Sequence, residues 1–181
     1  MNDIQQVQVA MHYDYFIKTE LAIHNGFYLE AIFREYAAIE GRLEIILGLL
    51  GAPCNKYAND KERRKIDISH RINCLSKIYT TTTTLENTKL DAEFFNKLNR
   101  WRNSRNIIVH GFYKNEMKYH ERSAKNKTLA EDGLLLSRML YNEVKRLRRY
   151  QKSHTATNLS EVSRCYEQHC NMYQRREKTN D

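Results

Sequence analysis

An arginine and a histidine separated by four residues are the side chains of this sequence best suited to chemistry on a phosphodiester. The segment Arg105–His110 reads RNIIVH, and Asn106 directly follows the arginine. An imidazole can move a proton to or from a hydroxyl group, and a guanidinium can neutralise charge on phosphate oxygens. Together, the two groups could act on a phosphodiester without a metal ion.

These residues must be positioned by a helix that begins near Leu90 or Asp91. At about 100° per residue, one side of that helix is apolar and an adjacent side is a polar stripe. The apolar side contains Phe94, Leu98, Trp101, Val109 and Phe112, and the stripe contains Asn99, Asn103, Asn106 and His110. Arg105 falls on the apolar side, about 140° from His110 in projection.

A lone arginine on an apolar side is costly unless it meets a carboxylate, a phosphate or an interface. Two arrangements would bring Arg105 and His110 to one site. The helix could break near Gly111 and reorient His110, or a second copy of the chain could complete the site. In the second case, a dimer would bury the apolar side with Phe94, Trp101 and Phe112.

The spacing of apolar residues predicts an all-α protein, a bundle of five to six helices. Only 6 glycines and 1 proline occur among the 181 residues, too few for the turns of a many-stranded sheet. The expected helices cover about 4–23, 27–50, 68–79, a segment from 90 or 91 through the motif, 129–152 and 159–173. We interpret 80–84 as loop, 113–127 as a flexible linker, 1–175 as a single domain and 176–181 as a frayed charged tail.

Three residues outside the motif have predicted local roles. Gly26 ends the first helix, and Asp67 is well placed to cap the third. Glu40 is expected on the solvated face of the second helix. The alternative is that it steadies an arginine from another helix.

Basic charge is concentrated in the second half of the chain. Residues 1–99 carry 12 basic and 13 acidic side chains, whereas residues 100–181 carry 18 basic and 9 acidic ones. We interpret the excess as a nucleic-acid-binding surface, the alternative being a solvated face that aids solubility. The residues expected to contact RNA are Arg102, Asn103, Arg146, Arg148 and Arg149.

The cysteines and the hydropathy pattern argue against a metal site, a disulfide framework and a membrane-spanning segment. Cys165 and Cys170 flank His169, but no second pair stands nearby at zinc-site spacing, so no metal site is expected. Nor does the sequence predict a disulfide framework, since no signal peptide is apparent. No apolar run is long enough to span a membrane. We therefore expect a soluble, cytoplasmic protein.

The stretch 100–113, RWRNSRNIIVHGFY, resembles the signature of the HEPN superfamily, small helical domains whose Arg-x(4–6)-His motif commonly marks a ribonuclease. The resemblance implies that His110 acts as general base or acid on an RNA 2′-hydroxyl and that Arg105 stabilises the phosphorane. Asn106 would position the phosphate or the histidine. The products would be a 2′,3′-cyclic phosphate and a 5′-hydroxyl, with no metal or other cofactor. HEPN domains typically form homodimers in which both motifs line one cleft, which favours completion by a second copy.

One position departs from a toxin branch of this superfamily. In that branch, a tyrosine two residues after the histidine is modified with AMP by an antitoxin, whereas here that position is Phe112 and the tyrosine is Tyr113. The biological setting implied is a toxin of a toxin–antitoxin system, a phage-defence effector or a component of RNA processing, with an antitoxin or regulatory protein as partner. The alternatives to an endoribonuclease are a non-catalytic HEPN-like module that binds RNA or a nucleotide, and a protein–protein adaptor.

Overall fold

The computed structural model of the chain describes residues 3–51, 67–81, 88, 90–111 and 119–153. Five helices and no strands occur within these ranges: α1 (Asp3–His24), α2 (Tyr28–Leu49), α3 (Ile68–Thr81), α4 (Ala92–Gly111) and α5 (Tyr119–Ser153). The predicted all-α, helical-bundle class is therefore confirmed. None of these helices is long and apolar enough to cross a membrane.

The chain divides into two compact units. The first unit comprises Met1–Ile39 and Arg100–Arg138, and the second comprises Glu40–Asn99 and Met139–Asp181. Helix α1 belongs to the first unit and α3 to the second, while α2, α4 and α5 contribute residues to both. The assignment of 1–175 to a single domain stays a prediction.

In the first unit, a short turn joins α1 to α2. Gly26 adopts a φ of 79°, the left-handed conformation that favours glycine after a helix. The backbone N–H of Gly26 donates to Ile23 O at 3.1 Å, and that of Phe27 donates to Ala22 O at 2.8 Å. The predicted helix end at Gly26 is confirmed.

The second unit contains most of the fully buried apolar side chains of the described residues. They lie on α2, α3 and α4, on the turn after α2 and on the segment before α4: Leu43, Ile46, Leu47, Leu50, Ile72, Leu75, Ile78, Leu90, Phe95 and Leu98. Because they recur at three- and four-residue spacing, each helix presents one continuous apolar stripe to this core.

Polar groups at the edge of this core are paired. Tyr79 Oη donates to Glu143 Oε1 at 2.5 Å, and Arg146 donates two bonds to the same carboxylate at 2.7 and 2.9 Å. Burial, together with the neighbouring Glu143 carboxylate, raises the pKa of Tyr79, so its hydroxyl stays a donor. Arg71 Nη1 lies 2.8 Å from Glu40 Oε1. The interhelical pairing of Glu40, which was the alternative to a solvated position, is the arrangement found.

Aspartates cap two of the helices in the second unit. Asp67 Oδ1 accepts a bond from the backbone N–H of His70 at 2.9 Å, which confirms the predicted cap of α3. Asp91 Oδ1 accepts from the N–H of Phe94 at 2.8 Å and so fixes the beginning of α4. The helix that carries the motif therefore begins where the sequence analysis placed it, within two residues.

Two loop predictions are wrong. Helix α5 begins at Tyr119, so residues 119–127 are helical rather than part of a linker. Burial of Asn126 within this segment indicates that packing overrides its polar composition. Thr80 and Thr81 extend α3, and their hydroxyls donate to carbonyls one turn earlier. The remaining predictions for 82–84, 113–118 and 154–181 lie outside the described residues.

Candidate functional site

Arg105 is held against two aromatic rings of α2 in the first unit. Its guanidinium carbon lies 4.0 Å from the ring centroid of Tyr36 and 5.4 Å from that of Phe33. The face of an aromatic ring attracts a cation. The two rings therefore stabilise the charge of Arg105, which the helical projection of the sequence placed on the apolar side of the helix. Among the described residues no carboxylate pairs with Arg105, and its Nε has no hydrogen-bond partner. The side chain is therefore oriented, while no carboxylate in the described part of the chain compensates its positive charge.

The asparagine after each predicted phosphate-binding arginine contacts that arginine. Arg105 Nη1 donates to Asn106 Oδ1 at 3.2 Å, and Arg102 Nη2 donates to Asn103 Oδ1 at 2.8 Å. An amide oxygen that accepts from a guanidinium limits the orientations of that guanidinium. Asn106 and Asn103 therefore orient these cations, a role the sequence analysis did not assign to them.

His110 lies on a row of exposed residues of α4, which is called the exposed stripe below and differs from the polar stripe of the sequence analysis. The stripe consists of Arg100, Asn103, Ser104, Ile107 and His110. Ile107 is the apolar member, and 64% of its surface is exposed. The stripe thus combines a basic residue, two polar residues, a histidine and an apolar side chain on one solvent-facing surface of the first unit.

Helix α4 continues through His110 to Gly111, so it does not break before the histidine. Arg105 and His110 therefore remain about 140° apart around the helix axis. No hydrogen bond joins His110 to Arg105 or Asn106 in the part of the chain that the structure describes. Two arrangements could bring Arg105 and His110 to one site, a break in the helix or a second copy of the chain. The break is not found within α4.

The prediction that a dimer buries an apolar surface of three residues is wrong for two of them. Phe94 and Trp101 are each 3% exposed within the single chain. Trp101 Nε1 also donates to Leu129 O at 2.8 Å, so the indole is fixed inside the first unit. Burial in the core removes both rings from any surface that a second copy could cover. Phe112 lies outside the described residues.

The predicted RNA-binding residues are divided between the two units. Arg102 and Asn103 belong to the first unit with the motif, whereas Arg146, Arg148 and Arg149 belong to the second. The guanidinium of Arg146 is bound to Glu143, and this hydrogen bond raises the pKa of the arginine. Arg148 and Arg149 are exposed. Pairing to Glu143 leaves Arg146 the least available of the three to a phosphate.

A buried carboxyl group that the sequence analysis did not single out lies in the same unit as the motif. Glu35 is 0% exposed, and neither of its oxygens has a partner among the described residues. Burial, and secondarily the charge of Asp132, raises its pKa to about 9, so the group is neutral at pH 7. A signal was available in the sequence, since Glu35 lies three and four residues from the apolar Ile32, Ala31 and Ile39.

Chemically, the first unit presents an oriented guanidinium, which has no carboxylate partner within the described ranges, and, on another side of the same helix, an exposed imidazole. The guanidinium could bind a phosphate oxygen, and the imidazole could transfer a proton. Because they point in different directions, one copy of the chain does not direct both groups at the same phosphorus. Comparisons of the chain with protein-family models, with curated proteins and with solved structures find no match.

Proposed function

We propose that the protein is a metal-independent endoribonuclease of the HEPN type, which acts as a homodimer with a composite active site. The observation that carries this proposal is the state of Arg105. Its charge is held over Tyr36 and Phe33 with no carboxylate partner among the described residues. An oriented cation of this kind is suited to bind an RNA phosphate and to stabilise the charge that builds up during transfer.

In the proposed reaction, His110 removes the proton from the RNA 2′-hydroxyl, or protonates the leaving 5′-oxygen. The 2′-oxygen forms a bond to the adjacent phosphorus while the bond to the 5′-oxygen breaks. Arg105 stabilises the phosphorane, and Asn106 keeps the guanidinium in its orientation. The products are a 2′,3′-cyclic phosphate and a 5′-hydroxyl.

A second copy is part of the proposal because the two groups diverge on α4. A histidine from one chain and an arginine from the other can approach the same phosphate without a break in either helix. The exposed stripe, with Ile107 at its centre, replaces Phe94 and Trp101 as the proposed contact surface. An exposed isoleucine beside a histidine is consistent with a surface that is covered in a dimer.

Cleavage of single-stranded RNA in the presence of EDTA tests the proposal. We expect Arg105→Ala and His110→Ala each to lower the cleavage rate by a factor of about 100 or more. Lys97→Ala is the matched control, since it removes a positive charge from the same helix at an exposed pair with Glu93. Cleavage that survives equally in both motif variants would contradict the assignment.

Mixing the two inactive variants tests the composite site. If Arg105 of one chain works with His110 of the other, a mixed dimer contains one intact centre. Random exchange of subunits should therefore restore about a quarter of the wild-type rate. Failure to recover activity, when exchange is verified by a tag on one variant, would contradict the composite site and indicate that Arg105 and His110 of the same chain work together.

A non-catalytic RNA- or nucleotide-binding module is the second candidate function. The stacking of Arg105 on two rings favours it, because a guanidinium held in this way can bind a phosphate without a reaction. This candidate predicts binding that weakens with salt and with Arg105→Ala, while the RNA stays intact. An adaptor protein would show no RNA binding at moderate salt.

For the biological setting, we propose a toxin or a phage-defence effector that acts in the cytoplasm. Growth arrest on expression, relieved by Arg105→Ala or His110→Ala, is the expected result. Growth arrest that persists in both variants would separate toxicity from the motif.

A further inference from the structure

The two rings that hold Arg105 differ in how much of their surface is open to solvent. Phe33 is 48% exposed, whereas Tyr36 is partly buried. The guanidinium carbon of Arg105 lies 4.0 Å from the ring centroid of Tyr36 and 5.4 Å from that of Phe33. Because the attraction between a cation and a ring weakens with distance, Tyr36 contributes more to holding Arg105. Phe33 therefore keeps a surface that Arg105 does not occupy.

The neighbours of Phe33 on α2 leave this surface accessible. Residues three and four positions apart are neighbours on the surface of a helix. Ala37, one turn after Phe33, is exposed and carries only a methyl group. Glu30, one turn before Phe33, accepts two bonds from Arg34, at 2.8 and 3.0 Å. The acidic residue beside Phe33 is thus paired with a cation and does not repel an anion from Arg105.

The position of Phe33 distinguishes it from the other exposed phenylalanine of the described residues, Phe27. Both rings belong to the first unit, but of the two only Phe33 has its ring beside Arg105. No carboxylate within the described ranges pairs with this arginine. A flat apolar surface therefore lies next to a cation that is available to an anion.

A nucleotide in a strand matches this pair of surfaces. Its phosphate accepts hydrogen bonds from a guanidinium, and its base, one ribose away, stacks on an aromatic ring. A second cation favours a strand over a single aromatic phosphate. Arg102, one turn before Arg105, has no carboxylate partner in the described part of the chain, and its Nη2 donates to Asn103 Oδ1 at 2.8 Å. Successive phosphates of a strand match successive arginines.

We propose that Phe33 forms a base-binding subsite, in which a nucleobase stacks on its ring while the phosphate of the same nucleotide binds Arg105. The inference rests on the proposed function in that it takes an RNA phosphate as the ligand of Arg105, but it does not require cleavage. Every base has a flat face, so the subsite accepts all four bases. The stacked base is unpaired, because a base within a duplex is held between its neighbours.

A thymidine hexanucleotide and an abasic hexamer with the same number of phosphates test the subsite. Neither probe has a 2′-hydroxyl, so binding is measured whether or not the chain is a nuclease. We expect the wild-type chain to bind the hexanucleotide about tenfold more tightly than the abasic hexamer, and Phe33→Ala to bind the two equally. Equal affinity of the wild-type chain for both probes, or binding of neither, would overturn the proposal.

The ratio of the two affinities separates stacking from a purely supporting role of Phe33. If the ring served only to hold Arg105, Phe33→Ala would weaken both probes by the same factor, because both contain phosphates. The ratio would then stay at its wild-type value, and the proposal would be wrong. Phe33→Tyr keeps a flat ring and should keep the ratio. Its loss in this variant, with helicity checked by circular dichroism, would also contradict stacking.

Phe27→Ala is the matched control. It removes a ring of the same kind from the same unit, and Phe27 is 61% exposed. The preference for the hexanucleotide should remain unchanged in this variant. Its loss would show that the preference does not depend on the ring beside Arg105, and so would count against the subsite.

Two further measurements separate this inference from the ribonuclease and from another ligand class. If RNA stays intact while Phe33→Ala abolishes the preference for the hexanucleotide, the ribonuclease assignment fails and the subsite stands. If RNA is cleaved while Phe33→Ala leaves the preference unchanged, the subsite fails and the ribonuclease stands. Phenyl phosphate, a flat ring with one phosphate, should bind more weakly than the hexanucleotide. Equal or tighter binding would point to a phosphotyrosine ligand and overturn the proposal.

Discussion

The two units of the chain differ in how completely their side chains are satisfied. Of the twelve largest fully buried side chains among the described residues, ten belong to the second unit, and only Ile32 and Ile39 belong to the first. All six of the exposed large apolar side chains in the described part of the chain belong to the first unit: Ile17, Leu21, Phe27, Phe33, Ile107 and Leu135. The large apolar side chains of the second unit are thus mainly packed in its core, whereas those of the first unit are in part exposed to its surroundings.

Polar groups show the same division. In the second unit, the buried carboxylate of Glu143 receives bonds from Tyr79 and Arg146. In the first unit, Glu35, Arg105 and Asn126 each keep a buried atom without a partner among the described residues. In the second unit, Arg71 also has such an atom, its Nε, although two other nitrogens of its guanidinium lie 2.8 and 3.6 Å from Glu40 and Glu44. Such groups are costly in a protein interior, and the larger number in the first unit indicates that this unit is shaped for binding as well as for stability.

Removal of one leucine from each unit gives the largest expected contrast. Leu75→Ala should lower the free energy of unfolding by about 2–5 kcal/mol, because Leu75 is fully buried in the second unit. Leu135→Ala in the first unit should change it by no more than about 0.5 kcal/mol, since that side chain is exposed. Urea unfolding of both variants measures the difference. A comparable loss in Leu135→Ala would indicate that its surface is covered in the protein in solution.

A methyl group added to one helical glycine of each unit should have effects of opposite sign. At Gly133, a Cβ would collide with the Glu35 carboxyl and lie 2.8 Å from Trp101 Nε1, so Gly133→Ala should destabilise the protein by about 1–3 kcal/mol. Gly41 has no atom within 4 Å of that position, so Gly41→Ala should stabilise by about 0.5–1 kcal/mol. Thermal unfolding of the two variants checks the signs. Stabilisation by Gly133→Ala would show that the indole moves aside.

The buried carboxyl of the first unit should affect how stability depends on pH. Burial raises the pKa of Glu35 from 4.5 to about 9, so between these values the folded chain keeps a proton that the unfolded chain releases. The free energy of unfolding should therefore fall as pH rises, by up to about 1.4 kcal/mol per pH unit. The glutamine of Glu35→Gln cannot ionise, so the free energy of unfolding of this variant should lack this part of the dependence on pH. Urea titrations between pH 5 and pH 8 measure it, and identical slopes in both proteins would contradict the buried state of Glu35.

Local chemistry explains what the sequence predicted well. Asp67 precedes an apolar-periodic segment, and a carboxylate before a helix caps it whatever the rest of the fold does. Gly26 likewise ends α1 because it adopts a left-handed conformation at little cost. The position of Arg105 on the apolar side of its helix follows from the helical repeat alone.

What the sequence did not predict depends on residues that are distant along the chain. The rings of Phe33 and Tyr36 that stabilise Arg105 lie on α2, about seventy positions earlier, and periodicity within α4 contains no trace of them. The same limit applies to Trp101, whose indole binds a carbonyl of α5 instead of an interface. Residues 119–127 were misread because their polar composition is typical of a loop, while the helix they form is stabilised by tertiary packing.

The hydrogen bond from Trp101 to Leu129 O has a practical consequence for spectroscopy. Trp101 is the sole tryptophan of the chain, and it is buried in the first unit. Its fluorescence is thus a built-in label for that unit, whereas circular dichroism averages over all the helices. A shift of its emission on addition of RNA or a nucleotide would report a change at the indole without any chemical dye.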